Sequence, residues 1–265
     1  MNQSSSEQDP FAPPSSPTPA PAPVQVRVPM PSVPPTVTYT IIGFTVVIYL
    51  LQMLSVGLGY TVNGIDILEI YGARFNSAIR AGEIWRFITP VFLHASVMHI
   101  FFNMYALLSI GSLLERHYGH VRFALMYFLG AFSGNVFSFL LTGENGYSVG
   151  ASTAVFGLIA AEVVFFYQNR ELFGSYAKQA ISNAGFIIVL NLVISLTPGI
   201  DGWGHVGGLL GGAMFAWFAG PIWQVAGFPP DIRLEDKREF RDWTIGIAAV
   251  LLIFGALAIW GMFIR

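Results

Sequence analysis

The chain has 265 residues, of which 54% are hydrophobic and only 11% are charged, whereas about a quarter of the residues of a soluble domain are charged. The formal net charge is −2, no long basic run is present, and there is no cysteine. This composition argues against nucleic-acid binding and excludes disulfides, thiolate metal sites and a cysteine nucleophile. We therefore expect an all-α polytopic membrane protein without a bound metal or cofactor.

The N-terminal segment, residues 1–36, differs from everything that follows. The first 35 residues hold 11 of the 16 prolines and carry Glu7, Asp9 and Arg27 as their only charges. A proline-rich segment of this kind buries too little apolar surface to fold alone. It predicts a disordered tail.

Seven apolar stretches follow the tail, and a helix of roughly 20 residues suffices to cross a hydrocarbon core of about 30 Å. They predict a core of six transmembrane helices over residues 37–223, a charged cytoplasmic linker over 224–242 and an additional transmembrane helix over 243–265. The stretches are Val37–Leu58, His94–Leu114, Phe123–Leu141, Ala151–Tyr167, Ile181–Leu196, Gly204–Ile222 and Trp243–Phe263.

The segment between the first and second stretches, residues 59–92, is too polar to span a membrane and too aromatic for a plain linker. Trp and Tyr are favoured at the membrane interface. We expect a partly helical lobe there.

Lys and Arg concentrate in cytoplasmic loops of membrane proteins. With the N-terminus inside, the inner segments hold nine of these residues and the outer segments hold four. This predicts a cytoplasmic N-terminus, so that helices two, four and six begin at the outer face.

Polar residues gather at the outer ends of these three helices. His94, His99 and Asn103 lie in helix two, Ser152 begins helix four and His205 begins helix six. A lone serine is more often a helix-packing residue, and a lone histidine more often an interfacial one. Together at one depth, facing a bundle interior or a water-filled cavity, they indicate an acyl-transfer site.

Each part of such a site has a candidate. Ser152 lies near the unpaired N–H groups of a helix N-terminus, which favour developing negative charge, and His205 can act as base. His99 and Asn103, spaced i and i+4, share a helix face and can donate to an oxyanion together with the Ser152 N–H.

Gly157, Gly208 and Gly212 are explained as packing residues that let helices four and six approach closely. From Ser152 to the end of helix four is about 24 Å at 1.5 Å per residue, so we expect a site below the outer surface that is open to water from outside.

Four motifs in this order resemble the rhomboid family of intramembrane serine proteases, and the similarity extends from about Thr38 to Trp223. The motifs are "EIWRF" at 83–87, "HASVMHIFFN" at 94–103, "GASTAVFG" at 150–157 and "GHVGGLLGG" at 204–212. The resemblance implies a rhomboid-like six-helix bundle with a seventh C-terminal helix.

The resemblance also implies a Ser-His dyad of Ser152 and His205 without a catalytic acid. His99 and Asn103 would hold the oxyanion, and Phe156 would pack on the base and orient it. The remaining implied positions support this site: Gly150 in the turn before the nucleophile, Glu83, Trp85 and Arg86 in the first loop, Glu115 hydrogen-bonded near the inner end of helix two, and His94 either lining the cavity or lying at the interface.

Other interpretations stay open. Asp201, four residues before His205, could complete a triad, although the family works without one. Glu162 has no evident partner. A transporter would normally show polar or broken helices near mid-membrane, which is not the pattern here.

The expected activity is hydrolysis of peptide bonds in or near the transmembrane segments of single-pass membrane proteins within the lipid bilayer. The alternative is a catalytically silent rhomboid-like protein that binds or chaperones transmembrane clients. The expected location is the plasma (inner) membrane of a bacterium, with the site open to the extracytoplasmic side.

Overall fold

The computed structural model describes residues 28–263. Within them the chain is a bundle of helices, as predicted. The longer helices are α1 Thr36–Gly57, α4 Val97–Ala106, α5 Ser112–Tyr118, α6 His120–Leu141, α7 Ser152–Gln168, α9 Ser175–Ile194, α10 Gly202–Ala219 and α11 Phe240–Phe263. A π-helical stretch, Leu107–Gly111, joins α4 to α5, so that the two form one continuous rod.

Shorter elements lie between these helices. They are α2 Ile67–Gly72, α3 Asn76–Arg80 and α8 Arg170–Phe173, with strands β1 Thr61–Val62, β2 Ile65–Asp66, β3 Arg74–Phe75, β4 Tyr147–Ser148, β5 Trp223–Ala226 and β6 Arg233–Asp236. The strands form three antiparallel pairs, β1 with β2, β3 with β4 and β5 with β6. The prediction of a disordered tail falls mostly outside the described residues.

Five helices of the described part are long and apolar enough to cross a membrane, namely α1, the α4–α5 rod, α6, α9 and α11. Helix α7 is a shorter apolar helix of 17 residues, and α10 has 18. All seven predicted stretches coincide with helices whose ends differ by a few residues.

Glycine allows α6, α7 and α10 to pack at the centre. A Cβ added at Gly157 would lie 3.1 Å from the Gly130 Cα and 3.2 Å from the Gly208 carbonyl oxygen, so a side chain would require these backbones to move apart by a few tenths of an ångström. At Gly212, an added Cβ would overlap the Gly157 backbone. The small residues therefore bring three backbones together, as close helix contacts in membranes require.

Glu115 holds the start of α1. Its buried carboxylate accepts hydrogen bonds from the backbone N–H groups of Val37 and Thr38, each at 2.7 Å, and lies 2.6 Å from the His120 ring. The first N–H groups of a helix have no partner within it, and Pro35, at the N-cap, supplies none. The carboxylate from α5 therefore caps α1.

The segment before α4 folds into the expected lobe, and Arg86 lies at its centre. The guanidinium donates to the carbonyl oxygens of Ala73 and Ile70 at 2.6 and 2.7 Å and to the Glu83 carboxylate at 2.7 Å. The Trp85 indole donates to a backbone carbonyl of the lobe at 3.0 Å. Arg86 is buried and Trp85 is about half exposed, so the lobe is hydrogen-bonded both in its interior and at its surface.

The region predicted as a linker contains the hairpin of β5 and β6. Asp236 accepts a hydrogen bond from Arg122 at 2.6 Å, and the Arg122 guanidinium carbon also lies 4.0 Å from the ring centroid of Trp243. The hairpin thereby ties α6 to the first turn of α11, a connection that the sequence pattern did not indicate.

Candidate active site

Ser152 is the first residue of α7, and the turn before it is fixed from two sides. The Gly150 N–H donates to the Pro90 carbonyl oxygen at 2.9 Å, and the Ala151 N–H donates to the His94 Nε2 at 3.4 Å. Because helix geometry leaves the first N–H groups of α7 without intrahelical partners, the half-buried Ser152 hydroxyl lies beside free donors.

The position of Gly150 strongly favours glycine. Its φ of +123° is rarely adopted by other residues. An added Cβ would also lie 2.6 Å from the Cε1 and Nε2 atoms of His99. The tight turn therefore brings the His99 ring next to the start of α7.

His205 lies in the first turn of α10, 6% exposed, and stacks on Phe156. The ring centroids are 4.1 Å apart and the planes differ by 7°. Ser152 and Phe156 are four residues apart and so share one face of α7. The base candidate therefore packs on the α7 face that carries the nucleophile candidate.

The glycines of α10 permit this approach. An added Cβ at Gly208 would overlap the Thr153 carbonyl, and one at Gly204 would lie 3.0 Å from the Thr153 Cγ2. Within residues 28–263, no hydrogen bond joins Ser152 to His205; the His205 ring contacts α7 through the Phe156 stack.

His94 differs from both readings offered for it. It is 1% exposed, so it neither lines a cavity nor lies at the interface. Its backbone N–H donates to the Gln52 side-chain oxygen at 3.1 Å, and its ring centroid lies 5.0 Å from that of His99. With the Ala151 contact, it links α1 to the turn before Ser152.

Asn103 departs in part from its expected role. Its side-chain amide donates to the His99 carbonyl oxygen at 3.0 Å, one turn back on α4. That both side chains aim donors into one cavity stays a prediction: the His99 ring lies beside Gly150, whereas the Asn103 amide is engaged within α4.

Asp201 caps α10, and the His205 backbone N–H donates to the Asp201 backbone carbonyl oxygen at 3.2 Å, but in the described part of the chain the Asp201 carboxylate makes no hydrogen bond to the His205 ring. Its carboxylate accepts from the Gly204 N–H at 2.9 Å and from the Ser138 hydroxyl at 2.6 Å, and it lies 3.7 Å from the Arg74 guanidinium. Burial lowers the pKa of Arg74, and the Asp201 carboxylate opposes that shift. The triad reading is wrong in this geometry.

Two findings concern residues outside this cluster. Glu162 is half-buried on the C-terminal half of α7 and makes no hydrogen bond or ion pair among the described residues. Within residues 28–263, no group of three His, Asp or Glu side chains is placed to hold a metal ion.

A cavity of about 510 Å³ lies between the end of α9 and the start of α10, lined by Ser195, Gly202 and Val206 among others.

Sequence reasoning missed Ser195, whose hydroxyl lies 2.7 Å from the His205 Nδ1. It stands ten residues before the histidine, at a spacing that matches no motif. It also missed Arg74, which is 1% exposed and joins the lobe to α10. Neither residue carries a local signal.

Comparison with known proteins identifies the family of the chain. The Rhomboid domain matches residues 81–222, which is more than half of the chain. The chain belongs to the rhomboid family. As a rhomboid with several apolar helices, it is an integral membrane protein.

Several rhomboids are similar to this one. The chain is 36% identical to the Rhomboid protease GluP of Bacillus subtilis (strain 168) over 67% of this chain and 34% of that protein. It is 36% identical to the Rhomboid-like protease 1 of Toxoplasma gondii over 56% of this chain and 51% of that protein. The corresponding values for the chloroplastic RHOMBOID-like protein 9 of Arabidopsis thaliana are 37%, 59% and 36%. The chain thus spans about a third to a half of the length of these relatives.

Proposed function

We propose that this rhomboid is an intramembrane serine endopeptidase with Ser152 as nucleophile and His205 as general base. The observation that carries the proposal is the stack of His205 on Phe156, one turn below Ser152 on the same face of α7. The fixed turn at Gly150 and the adjacent His99 ring supply the further parts that acyl transfer requires.

The reaction begins when the Ser152 Oγ attacks a substrate carbonyl carbon and its proton passes to the His205 Nε2. The oxyanion accepts hydrogen bonds from the Ser152 N–H and the His99 ring, and Asn103 can add one by rotating its amide. The imidazolium then protonates the leaving amine, and the peptide bond breaks. A water molecule, deprotonated by His205, hydrolyses the acyl-enzyme and releases Ser152.

The substrate class follows from the surroundings of the site. The relatives named as proteases and the membrane-spanning helices support a substrate that is itself a single-pass transmembrane segment in the lipid bilayer. Such a segment must unwind locally, because an intact helix hides its carbonyls in internal hydrogen bonds. Small residues at the cleaved position suit this need.

We place the site at the extracytoplasmic side of a bacterial plasma membrane, with the N-terminus in the cytoplasm. The distribution of Lys and Arg supports this orientation. The lobe of residues 59–92 then covers the outer end of the bundle, where the site opens to water.

The test is cleavage of a single-span reporter substrate by the full-length purified protein in lipid vesicles. Ser152→Ala and His205→Ala are expected to abolish cleavage, and Ser152→Ala should also abolish labelling by a fluorophosphonate probe. Cleavage that persists in either variant contradicts the dyad. A wild-type protein that binds the reporter without cutting it or reacting with the probe favours the silent, client-binding alternative.

Two matched controls come from the opposite end of the bundle. Ser175 is an exposed serine at the first position of α9. His117 stacks on Phe165 with centroids 5.4 Å apart and planes at 11°, much as His205 stacks on Phe156. Ser175→Ala and His117→Gln are expected to retain cleavage and labelling.

A further inference from the structure

Ser195 connects the end of α9 to the base candidate on α10. It directly follows the last residue of α9, and its hydroxyl oxygen lies 2.7 Å from the His205 Nδ1. The two helices approach closely there, since a Cβ added at Gly202 would lie 3.2 Å from the Ser195 Cβ. The contact is thus part of the packing between the two helices.

The direction of this hydrogen bond follows from the second partner of the hydroxyl. The Ser195 Oγ lies 2.7 Å from the carbonyl oxygen of Asn191, which can only accept. A serine hydroxyl has a single proton. Once that proton is donated to Asn191, the Oγ can only accept from His205, so the histidine proton must lie on Nδ1.

The Phe156 stack cannot make this distinction by itself. A rotation of the imidazole by 180° about the bond to its Cβ keeps the ring in the same plane and keeps the stack. Such a flip would carry Nδ1 away from Ser195. The stack therefore sets the plane of the His205 ring, and the bond to Ser195 fixes the ring so that its Nδ1 faces Ser195.

We propose that Ser195 is a positioning residue that holds His205 in the tautomer with its proton on Nδ1 and with Nε2 free to take the proton of Ser152. The proposal rests on the proposed function of His205 as base. In a histidine, the hydrogen bond made by one ring nitrogen decides the state of the other. When His205 becomes an imidazolium during the reaction, the bond from Nδ1 to Ser195 becomes charge-assisted and strengthens.

Two substitutions separate the hydroxyl from the packing. Ser195→Ala keeps the Cβ that contacts Gly202 and removes the oxygen, and Ser195→Thr keeps the hydroxyl. We expect kcat for the reporter substrate to fall about tenfold in Ser195→Ala, the effect of losing one hydrogen bond to a group that becomes charged. KM should stay unchanged, and Ser195→Thr should restore most of kcat.

A second measurement does not depend on activity. In full-length protein labelled with ¹⁵N-histidine, the His205 signals are assigned by their loss in His205→Ala. The wild type should show a protonated Nδ1 and an unprotonated Nε2, and Ser195→Ala should shift the population toward the other tautomer. This result supports the positioning role even if the protein cleaves nothing, so failure of the proposed function can be distinguished from failure of the proposal for Ser195.

Thr40→Ala is the matched control, because the Thr40 hydroxyl also bonds the carbonyl four residues back, at 2.8 Å, on the exposed side of α1. It should change neither kcat nor the His205 signals. An Nε2 proton on His205 in the wild type overturns the proposal. An unchanged His205 tautomer in Ser195→Ala also overturns the proposal. This holds both when kcat is retained and when kcat falls together with the unfolding temperature.

Discussion

Helices α7 and α9 are packed against each other but differ in how much of each is buried. Every residue of α7 from Thr153 to Ala161 is buried, whereas on α9 only Ala177, Ala180 and Ala184 are. The nucleophile candidate begins the buried helix, and Ser195 follows the exposed one. The difference indicates that the site has two unlike halves. Around α7, the rigid half, small residues fix the backbone, whereas the end of α9 is joined to the site by the side-chain contact of Ser195 with His205.

The largest expected effect tests the rigid half. In Gly208→Ala the new Cβ overlaps the Thr153 backbone. Overpacking of a filled core costs about 1 to 3 kcal/mol and occasionally more, and because the overlapped atoms are backbone, which cannot rotate away, we expect this variant to lose more stability than the others below. We expect a much lower unfolding temperature in detergent and loss of probe labelling.

Its counterpart on the exposed helix is Gly185→Ala, because a Cβ there has no atom within 4 Å. Alanine should leave the unfolding temperature unchanged or raise it slightly, because alanine stabilises a helix relative to glycine by up to about 1 kcal/mol. Equal losses in the two variants would show that the contrast between α7 and α9 has no energetic basis.

The next effect concerns the contact between the lobe and α10. Asp201→Asn leaves the buried Arg74 guanidinium without its charge partner, and breaking a buried ion pair costs about 3 to 5 kcal/mol. Thermal unfolding should show this loss.

The control for Asp201→Asn is Glu144→Gln, which breaks the ion pair with Arg80 at 3.4 Å, where the Glu144 side chain is 87% exposed. No measurable change is expected, since solvent screens such pairs. A stable Asp201→Asn protein would mean that the ion pair contributes little, since asparagine can still cap α10.

A smaller effect is expected from Phe156→Leu. Leucine keeps the apolar contact with α10 but loses the aromatic stack, which is worth about 1 kcal/mol. We expect cleavage and probe labelling to slow about fivefold to tenfold. Phe186→Leu changes a residue on α9 that is 68% exposed and should leave both rates unchanged. Unchanged rates in Phe156→Leu would argue that the stack does not orient His205.

The smallest effect on cleavage is expected at Arg122, near the start of α6. Arg122→Gln removes the ion pair with Asp236 and the contact with Trp243. We expect the unfolding free energy to fall by about 1 to 2 kcal/mol with cleavage retained. Arg233→Gln, at the exposed pair with Glu235, should be silent. Loss of cleavage in Arg122→Gln would show that the last helix communicates with the site.

Much of the fold could be predicted because the bilayer imposes a length and an apolar composition on each spanning helix. The seven stretches and the lobe before α4 could be predicted on this basis. The motifs of the rhomboid family could be recognised from short runs of residues. The hairpin of β5 and β6 was not, because each strand has only four residues and the pair shows no clear alternation of apolar and polar side chains. Its position depends on Arg122, which is more than a hundred residues away from Asp236.

The sequence by itself determined the class of protein, its family and the residue types that an acyl-transfer site needs, since these depend on composition, local periodicity and short motifs. Only the tertiary structure decided which polar groups meet. It directed Asp201 to Ser138 and Arg74, and it placed Ser195 beside His205. Hydrogen bonds depend on distance and direction between helices, and glycine packing between backbones sets both.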